Sequence, residues 1–463
     1  MNKIKIHKDL QRVGEIFEEH GFKSYLVGGA VRDIFLGKES HDWDLTTNAT
    51  PQQVMKIFKK VIPTGIEHGT VTIHVLGHQI ETTTFRTEGK YSDGRHPDKI
   101  EFATTLEEDL SRRDFTMNAI AADLKTGILQ DPFNGIKDIQ DKIIRTVGNP
   151  FERFSEDGLR PVRAVRFAGQ LEFKIEEETL KAISNPEILQ KTKGISVERF
   201  HDEFCKMMTS KQPSISLKLM EKTGILDLFI PEFSDARKCD QKDSRGYHIF
   251  DVADHLFYAC DGAKPVLEIR LAALFHDIGK PYSNQVEYID GKKIIHFHGH
   301  ENKGAQITDE IFKRLKFSNE IKDKVVHLIR EHMFNYEPAW KDAAVRRFLV
   351  RVGINNVADL IDLRLADCYG KYNCPLDAKS PAWLELVELQ NRIQKIQEEN
   401  GALSIKDLKI NGKDLIQLGY KPGKLLGEIL NELFETVLDS PSMNSREKLL
   451  KIAKNKLELM LNI

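Results

Sequence analysis

The sequence predicts an α+β protein, a mixed head of short strands and helices followed by a remainder that is almost all helix. Three observations carry that reading. In the first 130 residues, β-like runs (Tyr25-Leu-Val27, Asp42-Trp-Asp-Leu45, Thr70-Val-Thr-Ile-His-Val75, Ile80-Glu-Thr-Thr-Thr-Phe85) alternate with helical segments such as Pro51 to Val61. From about residue 138 the β-signals fade, and apolar residues recur at helical spacing with Lys and Glu between them. Polar breaks holding Gly or Pro at 37–40, 234–246, 372–381 and 400–401 divide the 463 residues, which are too many for one hydrophobic core. These give a head at 1–137, a neck at 138–210, a helical body at 211–378 and a tail at 379–463.

Composition narrows the function classes. The 68 basic residues are balanced by 70 acidic ones, so any nucleic-acid binding must come from local patches and not from net charge. Five cysteines without a CxxC pair suggest neither a disulfide framework nor a thiolate zinc site, and a reducing cytoplasm fits them. The start, with its lysines and no apolar run, predicts no export signal, and no segment approaches the ~18 apolar residues of a membrane span.

The head opens with a strand that runs into paired glycines, Leu26-Val-Gly-Gly-Ala-Val-Arg-Asp33. Gly28 and Gly29 at a helix start leave backbone N–H groups free for phosphate, and Arg32 sits one turn further in. The next run, His41-Asp-Trp-Asp-Leu45, puts Asp42 and Asp44 on one face if it is a strand, since alternate residues share a side. Two adjacent carboxylates repel unless a divalent cation lies between them, and oxygen ligands suit Mg²⁺. Glu81, on a later candidate strand, is a possible third carboxylate. Glycines, an arginine and a DxD strand together describe a site for a metal-bound triphosphate.

In the neck, Glu156 and Asp157 precede arginines three apart at Arg160, Arg163 and Arg166, which form one drifting basic stripe on a helix. Pro161 is comfortable only in a first turn, so the helix is expected to begin near Gly158. Cytosine and adenine share an exocyclic amine beside a ring-nitrogen acceptor. A carboxylate beside a guanidinium is the matching partner, and Asp157 with Arg160 is such a pair.

Six ordered motifs now stand together: the GGAVRD and HDWDL segments, Arg112-Arg-Asp-Phe-Thr-Met-Asn-Ala119, Asp131-Pro-Phe-Asn-Gly135, Glu156-Asp-Gly-Leu-Arg160 and Ile195-Ser-Val-Glu-Arg-Phe200. In this order the chain resembles the class II tRNA nucleotidyltransferases of the bacterial CCA-adding kind, strongly from about 20 to 235 and weakly in a tail segment, Leu408-Lys-Ile-Asn-Gly-Lys-Asp-Leu415. The resemblance implies a polymerase-β-like nucleotidyltransferase head, CTP and ATP as substrates, and a protein template made by Asp157 and Arg160. It also implies Arg163 and Arg166 near the incoming nucleotide, Arg113 on the triphosphate, and Mg²⁺ on Asp42 and Asp44. A helix-start role for Asp114 is the simpler structural expectation. The charged loop from Arg86 to Pro97, with Arg95 in it, is the segment that the family associates with switching from C to A addition.

Downstream, His276-Asp277 ends an apolar helical run stopped by Gly279 and Pro281, where an unpaired buried carboxylate would be costly. With His255, His300, His332 and Asp367 the series resembles the HD-domain metal-dependent phosphohydrolases. That likeness implies a divalent metal held by His255, His276, Asp277 and Asp367, with His300 and His332 extending the shell or contacting phosphate. His296 and His298 read as bystanders. Lysines recur from Lys406 to Lys456, diluted by acids, and the family expectation is that neck, body and tail clasp the acceptor and TΨC arms of tRNA by shape.

Rival readings share the head motifs. Poly(A) polymerase is one, although the segment Ile62 to Val71 has the form associated with CCA addition and not a Gly-Arg-Arg-Phe element. Specialists adding only A or only CC are others. From a different class, the chain could be an HD phosphohydrolase with an RNA-binding head.

Overall fold

The computed structural model describes residues 3–40, 42–88, 100–399 and 403–461. Contacts divide the chain into two compact units, Met1–Asp235 with Glu310–Ser318, and Ala236–Asp309 with Asn319–Ile463. The boundary expected at 210 therefore falls inside the first unit. There the helix Pro213–Thr223 lies so close to the neck that a Cβ on Gly169 would meet Ser216 Oγ at 2.2 Å.

The head begins with α1 (Lys8–Glu19), β1 (Ser24–Val27), α2 (Gly29–Phe35) and β2 (Asp44–Thr47). Next come α3 (Pro51–Ile57), β3 (Val61–Gly65), β4 (Thr70–Val75) and β5 (His78–Thr84). A ribbon follows of β6 (Arg86–Glu88) and β7 (Ile100–Phe102), then α4 (Leu106–Ser111), β8 (Ala121–Asp123) and β9 (Leu129–Gln130). Seven of these strands form one mixed sheet in the order β3-β4-β5-β2-β1-β8-β9.

Local chemistry explains the boundaries. Thr50 caps α3 with a reciprocal Gln53 box, and Pro51 takes the first turn, where no N–H is needed. That helix ends at Ile57, so Val61 is strand and not helix as the sequence suggested. All four residues of β1 are buried, which is how a central strand covered on both faces reads. Leu10, Val13 and Phe17 bury the apolar stripe of α1, with Phe17 edge-on to Phe58 at 5.1 Å.

The neck adds α5 (Gly135–Gln140), α6 (Pro150–Glu156) and α7 (Leu159–Leu171). Gly158 precedes α7, and Pro161 lies in its first turn, as the proline rule requires.

Among its described residues the second unit is helical except for one hairpin, Asn284–Ile289 paired antiparallel with Lys292–Phe297, which the fading β-signal did not predict. Its first strand is exposed throughout, so it lacks the in-out alternation that betrays a half-buried strand. The tail residues close their own core around Leu415, Leu433, Leu449 and Ala453, which are fully buried.

Candidate active site and a second metal cluster

Sheet register builds the head site. Val27 pairs with Asp44 on one side of β2, and Glu81 pairs with Asp44 across the parallel β2–β5 ladder on the other. The Gly28–Gly29 turn leaving β1 is thereby set beside Asp44. Gly28 has φ +72, and a Cβ there would lie 3.3 Å from an Arg113 guanidinium nitrogen and 3.7 Å from Asp44 Oδ2. Only a glycine gives that turn both its left-handed backbone and its clearance.

Strand β2 starts at Asp44, so Asp42 stands just outside the ladder and not within a 42–45 strand. The two carboxylates nevertheless sense each other. Poor solvation, then Glu81 and Asp42, lift the Asp44 carboxyl from 3.8 to about 6, while Arg113 opposes the rise. That surplus of negative charge is what a divalent cation relieves, so the donor set fits an oxygen-ligated ion.

Asp44, Gly28, Gly29, Arg32, Arg113, Arg163 and Arg166 line one open cavity of about 260 Å³. Each arginine is aimed by a carboxylate or amide. Arg32 donates to Asn118 (2.8 Å) and Asp33 (2.9 Å), Arg163 to Asp114 (2.8 Å), and Arg166 to Glu203 and Gln170. Their guanidiniums gather round the Phe167 ring, at 5.2, 5.5 and 3.8 Å from its centroid for Arg32, Arg163 and Arg166. Arg113 Nε is buried without a protein partner, an orphaned donor of the kind an anionic ligand satisfies.

The predicted base-reading pair is held differently from expectation. Asp157 accepts both nitrogens of Arg199 (3.0 and 2.7 Å) and the Leu159 N–H, while Arg160 donates to Glu156 and to the Arg153 and Arg112 carbonyls. Neither residue lines the cavity, and each is held by other groups, Asp157 by Arg199 and Arg160 by Glu156. Arg199 and Glu203 were legible only as parts of a motif or a helix face, because their partners are about forty residues away in sequence. Asp114 does not start a helix: the residue before the 3₁₀ turn Thr116–Asn118 is Phe115. Burial works against the Asp114 charge, but Arg163 outweighs it and pulls the carboxyl down to about 2. Arg95 lies outside the described residues.

In the second unit, five elements converge. His255 comes from the helix Val252–Gly262, His276 and Asp277 from the end of Leu267–Phe275, and His300 from the start of His300–Arg314. His332 follows Asn319–Glu331, and Asp367 is on Val357–Tyr372. Two groups of possible ligands share Asp277: His255, His276 and Asp277, and Asp277, His300 and His332. His255 Nε2 lies 3.2 Å from Asp277 Oδ2 and 3.5 Å from Asp367, and His300 Nε2 lies 3.1 Å from Asp277 Oδ1.

The imidazole orientations are fixed from behind. Nδ1 of His276, His300 and His332 lies 2.9, 2.6 and 2.6 Å from the carbonyls of Ala273, Phe297 and Ile329. A carbonyl only accepts, so Nδ1 carries the hydrogen and Nε2 faces inward as a ligand atom. His300 and His332 bring those atoms to 3.3 Å of each other, where two lone pairs repel unless a cation or proton intervenes. Burial works against a charge on His276, but Asp277 and Asp367 overcome it and lift the imidazole to about 9. A cluster that holds a proton this tightly fits a divalent metal. A Cβ on Gly279 would strike the His300 carbonyl at 2.2 Å, so glycine there lets the His-Asp turn approach the next ligand helix.

A cavity of about 600 Å³ opens on this cluster, with Lys280, Arg364 and Lys371 among its lining residues. His296 and His298, stacked 5.3 Å apart on the hairpin side, also line it. They are therefore wall residues and not remote bystanders.

Comparison with known proteins covers both units. The Poly A polymerase head domain matches residues 24–145, the RNA and SrmB-binding site of polymerase A 172–237, the HD domain 245–369, and tRNA nucleotidyltransferase domain 2 376–453. The CCA-adding enzyme of Ligilactobacillus salivarius is 35% identical over 452 residues, covering 96% of this chain and 95% of that protein. The CCA-adding enzyme of Enterococcus faecalis is 36% identical over 94% of this chain and 92% of its own length. Among solved structures, the Bacillus stearothermophilus CCA-adding enzyme in complex with CTP superposes with a TM-score of 0.72 at 27% identity, covering 99% of this chain and 100% of that one. Near-complete coverage at this identity makes the assignment, and the chain belongs to the family of CCA-adding enzymes.

Proposed function

We propose that the protein adds the 3′-terminal CCA to tRNA from CTP and ATP, without a nucleic-acid template, and that it does so in the cytoplasm. The observation that carries the reading is the position of Asp44, flanked by Glu81, the Gly28 turn and Arg113 at the mouth of an arginine-lined cavity. The 3′-oxygen of tRNA bonds to the α-phosphorus of the nucleotide as the α–β bridging bond breaks and pyrophosphate leaves. Mg²⁺ held by Asp42 and Asp44, with Glu81 beside them, supplies Lewis acidity toward the attacking hydroxyl and the leaving oxygens when bound.

The remaining work belongs to side chains. Arg32 and Arg113 take the triphosphate, and Arg113 gains a partner for its orphaned Nε. Arg163 and Arg166 steady the nucleotide, each pre-aimed by its own acid, so that little is reorganised during reaction. For base choice, Asp157 turns from Arg199 to accept from the exocyclic amine of cytosine or adenine, and Arg160 turns from Glu156 to donate to the ring nitrogen. Guanine or uracil would leave those groups unpaired, at about 1–3 kcal/mol each. Neck, body and tail receive the acceptor and TΨC arms of tRNA, read by shape and backbone.

Labelled CTP and ATP, offered singly and together to tRNA ending before CCA, after C and after CC, test this reading. Addition of CCA and then a stop is the expected result. A alone, CC alone or an unlimited A tail would each assign the protein to a different specialist.

The clamped imidazoles support a second activity, metal-dependent hydrolysis of a phosphate ester in the cavity over Asp277. Lys280, Arg364 and Lys371 supply the positive wall that a phosphate needs. Hydrolysis of a 2′,3′-cyclic nucleotide that persists unchanged in His276→Ala and Asp277→Ala would rule this out.

A further inference from the structure

Strand pairing fixes Asp44 but not Asp42, because β2 begins at Asp44 and the residues before it lie outside the ladder. Something else must hold Asp42 beside Asp44. The residue between the two carboxylates is Trp43, 7% exposed, whereas Asp42 and Asp44 on either side of it are exposed. It packs against His7, the residue that caps α1, with centroids 5.1 Å apart, and against His78, the first residue of β5, at 4.6 Å. The two imidazoles also meet each other at 6.1 Å. His78 Nε2 lies 2.9 Å from Asp9 Oδ2, which ties its ring to α1. Two further bonds close the segment on itself: the Trp43 indole N–H donates to the Ser40 carbonyl (2.8 Å), and Ser40 Oγ donates to the Asp42 carbonyl (3.2 Å).

We propose that Trp43, packed in a three-ring cluster with His7 and His78 and bonded to Ser40, is a positioning residue that sets the Asp42 carboxylate against Asp44 for metal binding and nucleotidyl transfer. The proposal rests on the assignment of Asp42 and Asp44 as the metal carboxylates. The geometry gives the reason for an indole. A smaller side chain would lose contact with one or both histidines, and only Trp offers both that ring area and a donor for the Ser40 carbonyl. Because Trp43 adjoins Asp42 and shares Ser40 with its carbonyl, a tilt of the indole shifts the backbone that carries Asp42. Misplacing a reacting group by about 1 Å costs about a hundredfold in rate.

Three variants test it: Trp43→Leu, which breaks the cluster; Trp43→Phe, which keeps a ring but loses the indole donor; and Ser40→Ala, at a half-buried position where folding is not at stake. Each is assayed for kcat and KM with CTP on tRNA ending before CCA, for Mn²⁺ affinity of the head by electron paramagnetic resonance, and for thermal midpoint. To leave only the head site in the resonance signal, the measurements are made in a His276→Ala/Asp277→Ala background.

The expected result is a kcat reduced about a hundredfold in Trp43→Leu, with KM for CTP within about twofold. Mn²⁺ binding should weaken about tenfold, and Trp43→Phe and Ser40→Ala should show the same pattern in smaller measure. Unchanged kcat and Mn²⁺ affinity in Trp43→Phe and Ser40→Ala would overturn the proposal, whatever happens to the thermal midpoint. Asp42→Ala is the control that separates the two readings. If it leaves transfer and Mn²⁺ binding intact, the assignment of the metal carboxylates fails. If it abolishes both while the Trp43 and Ser40 variants behave as wild type, only the positioning role fails.

Discussion

The two charged sites of this protein solve the same problem, concentrated negative charge, in opposite ways. At the head, Asp44 and Asp42 are oxygen donors and few in number, the Asp44 carboxyl being poorly solvated although the residue as a whole is exposed, and the cations beside Asp44 belong to arginines that face the cavity. In the second unit, His255, His276, Asp277, His300 and His332 are all at most 4% exposed, and three of the four imidazoles are locked by backbone carbonyls. An incomplete, hydrated oxygen site suits an ion that must share its coordination with a substrate and exchange each cycle. A closed nitrogen and oxygen cluster suits an ion that stays. On the proposed assignment the head would be completed by its nucleotide, whereas the second cluster has its candidate ligand groups gathered without one.

The largest effect should come from uncoupling the two. Asp44→Ala is expected to reduce nucleotide addition by at least about a thousandfold while cyclic-phosphate hydrolysis stays within about twofold, and His276→Ala to do the reverse. Metal content after extensive dialysis sharpens the contrast: the wild type should keep metal that His276→Ala loses, and Asp44→Ala should not alter the retained amount.

Base choice should yield a smaller effect. Asp157→Ala is expected to narrow the preference for CTP over UTP by about tenfold to a hundredfold, the worth of one or two buried hydrogen bonds. Arg199→Leu should do so by less, since it removes only the orienting bond. Misincorporation read by sequencing the products measures both, and equal fidelity in all three proteins would remove Asp157 from the template.

Acidity provides the next contrast. The Asp44 carboxyl is raised from 3.8 to about 6, so the folded protein holds this proton more tightly than the unfolded chain does. In the metal-free protein this group's contribution to stability is therefore greatest below pH 4 and is lost as pH rises through 6. Metal binding needs the ionised form, and the Mg²⁺ concentration for half-maximal addition should rise about tenfold for each pH unit below 6. A Mg²⁺ dependence that is flat between pH 5 and 7 would contradict it.

The smallest effect is structural. Asp114 is lowered from 3.8 to about 2, so its contribution is present in full above pH 4 and lost as pH falls through 2. Asp114→Asn should cost about 2 kcal/mol at pH 7, measured by urea unfolding, with the cost fading as pH falls through 2 and gone by about pH 1.

The sequence by itself determined the α+β head, the helical remainder and the chemical kind of each site. Glycine pairs, a DxD run, an early proline in α7 and a His-Asp turn are local signals whose physics needs no distant partner. Tertiary structure alone decided which groups orient which. Arg199 meets Asp157, Glu203 meets Arg166, and Asp114 meets Arg163 across separations of 42, 37 and 49 residues, which no periodicity encodes. The same holds for the hairpin that carries His296 and for the His7–Trp43–His78 cluster, whose members come from a helix cap, a strand entry and the segment between them. A charged side chain displays its type in the sequence, but its partner is set by how the backbone elements pack. That packing follows from burial summed over the whole core and not from any short stretch of residues.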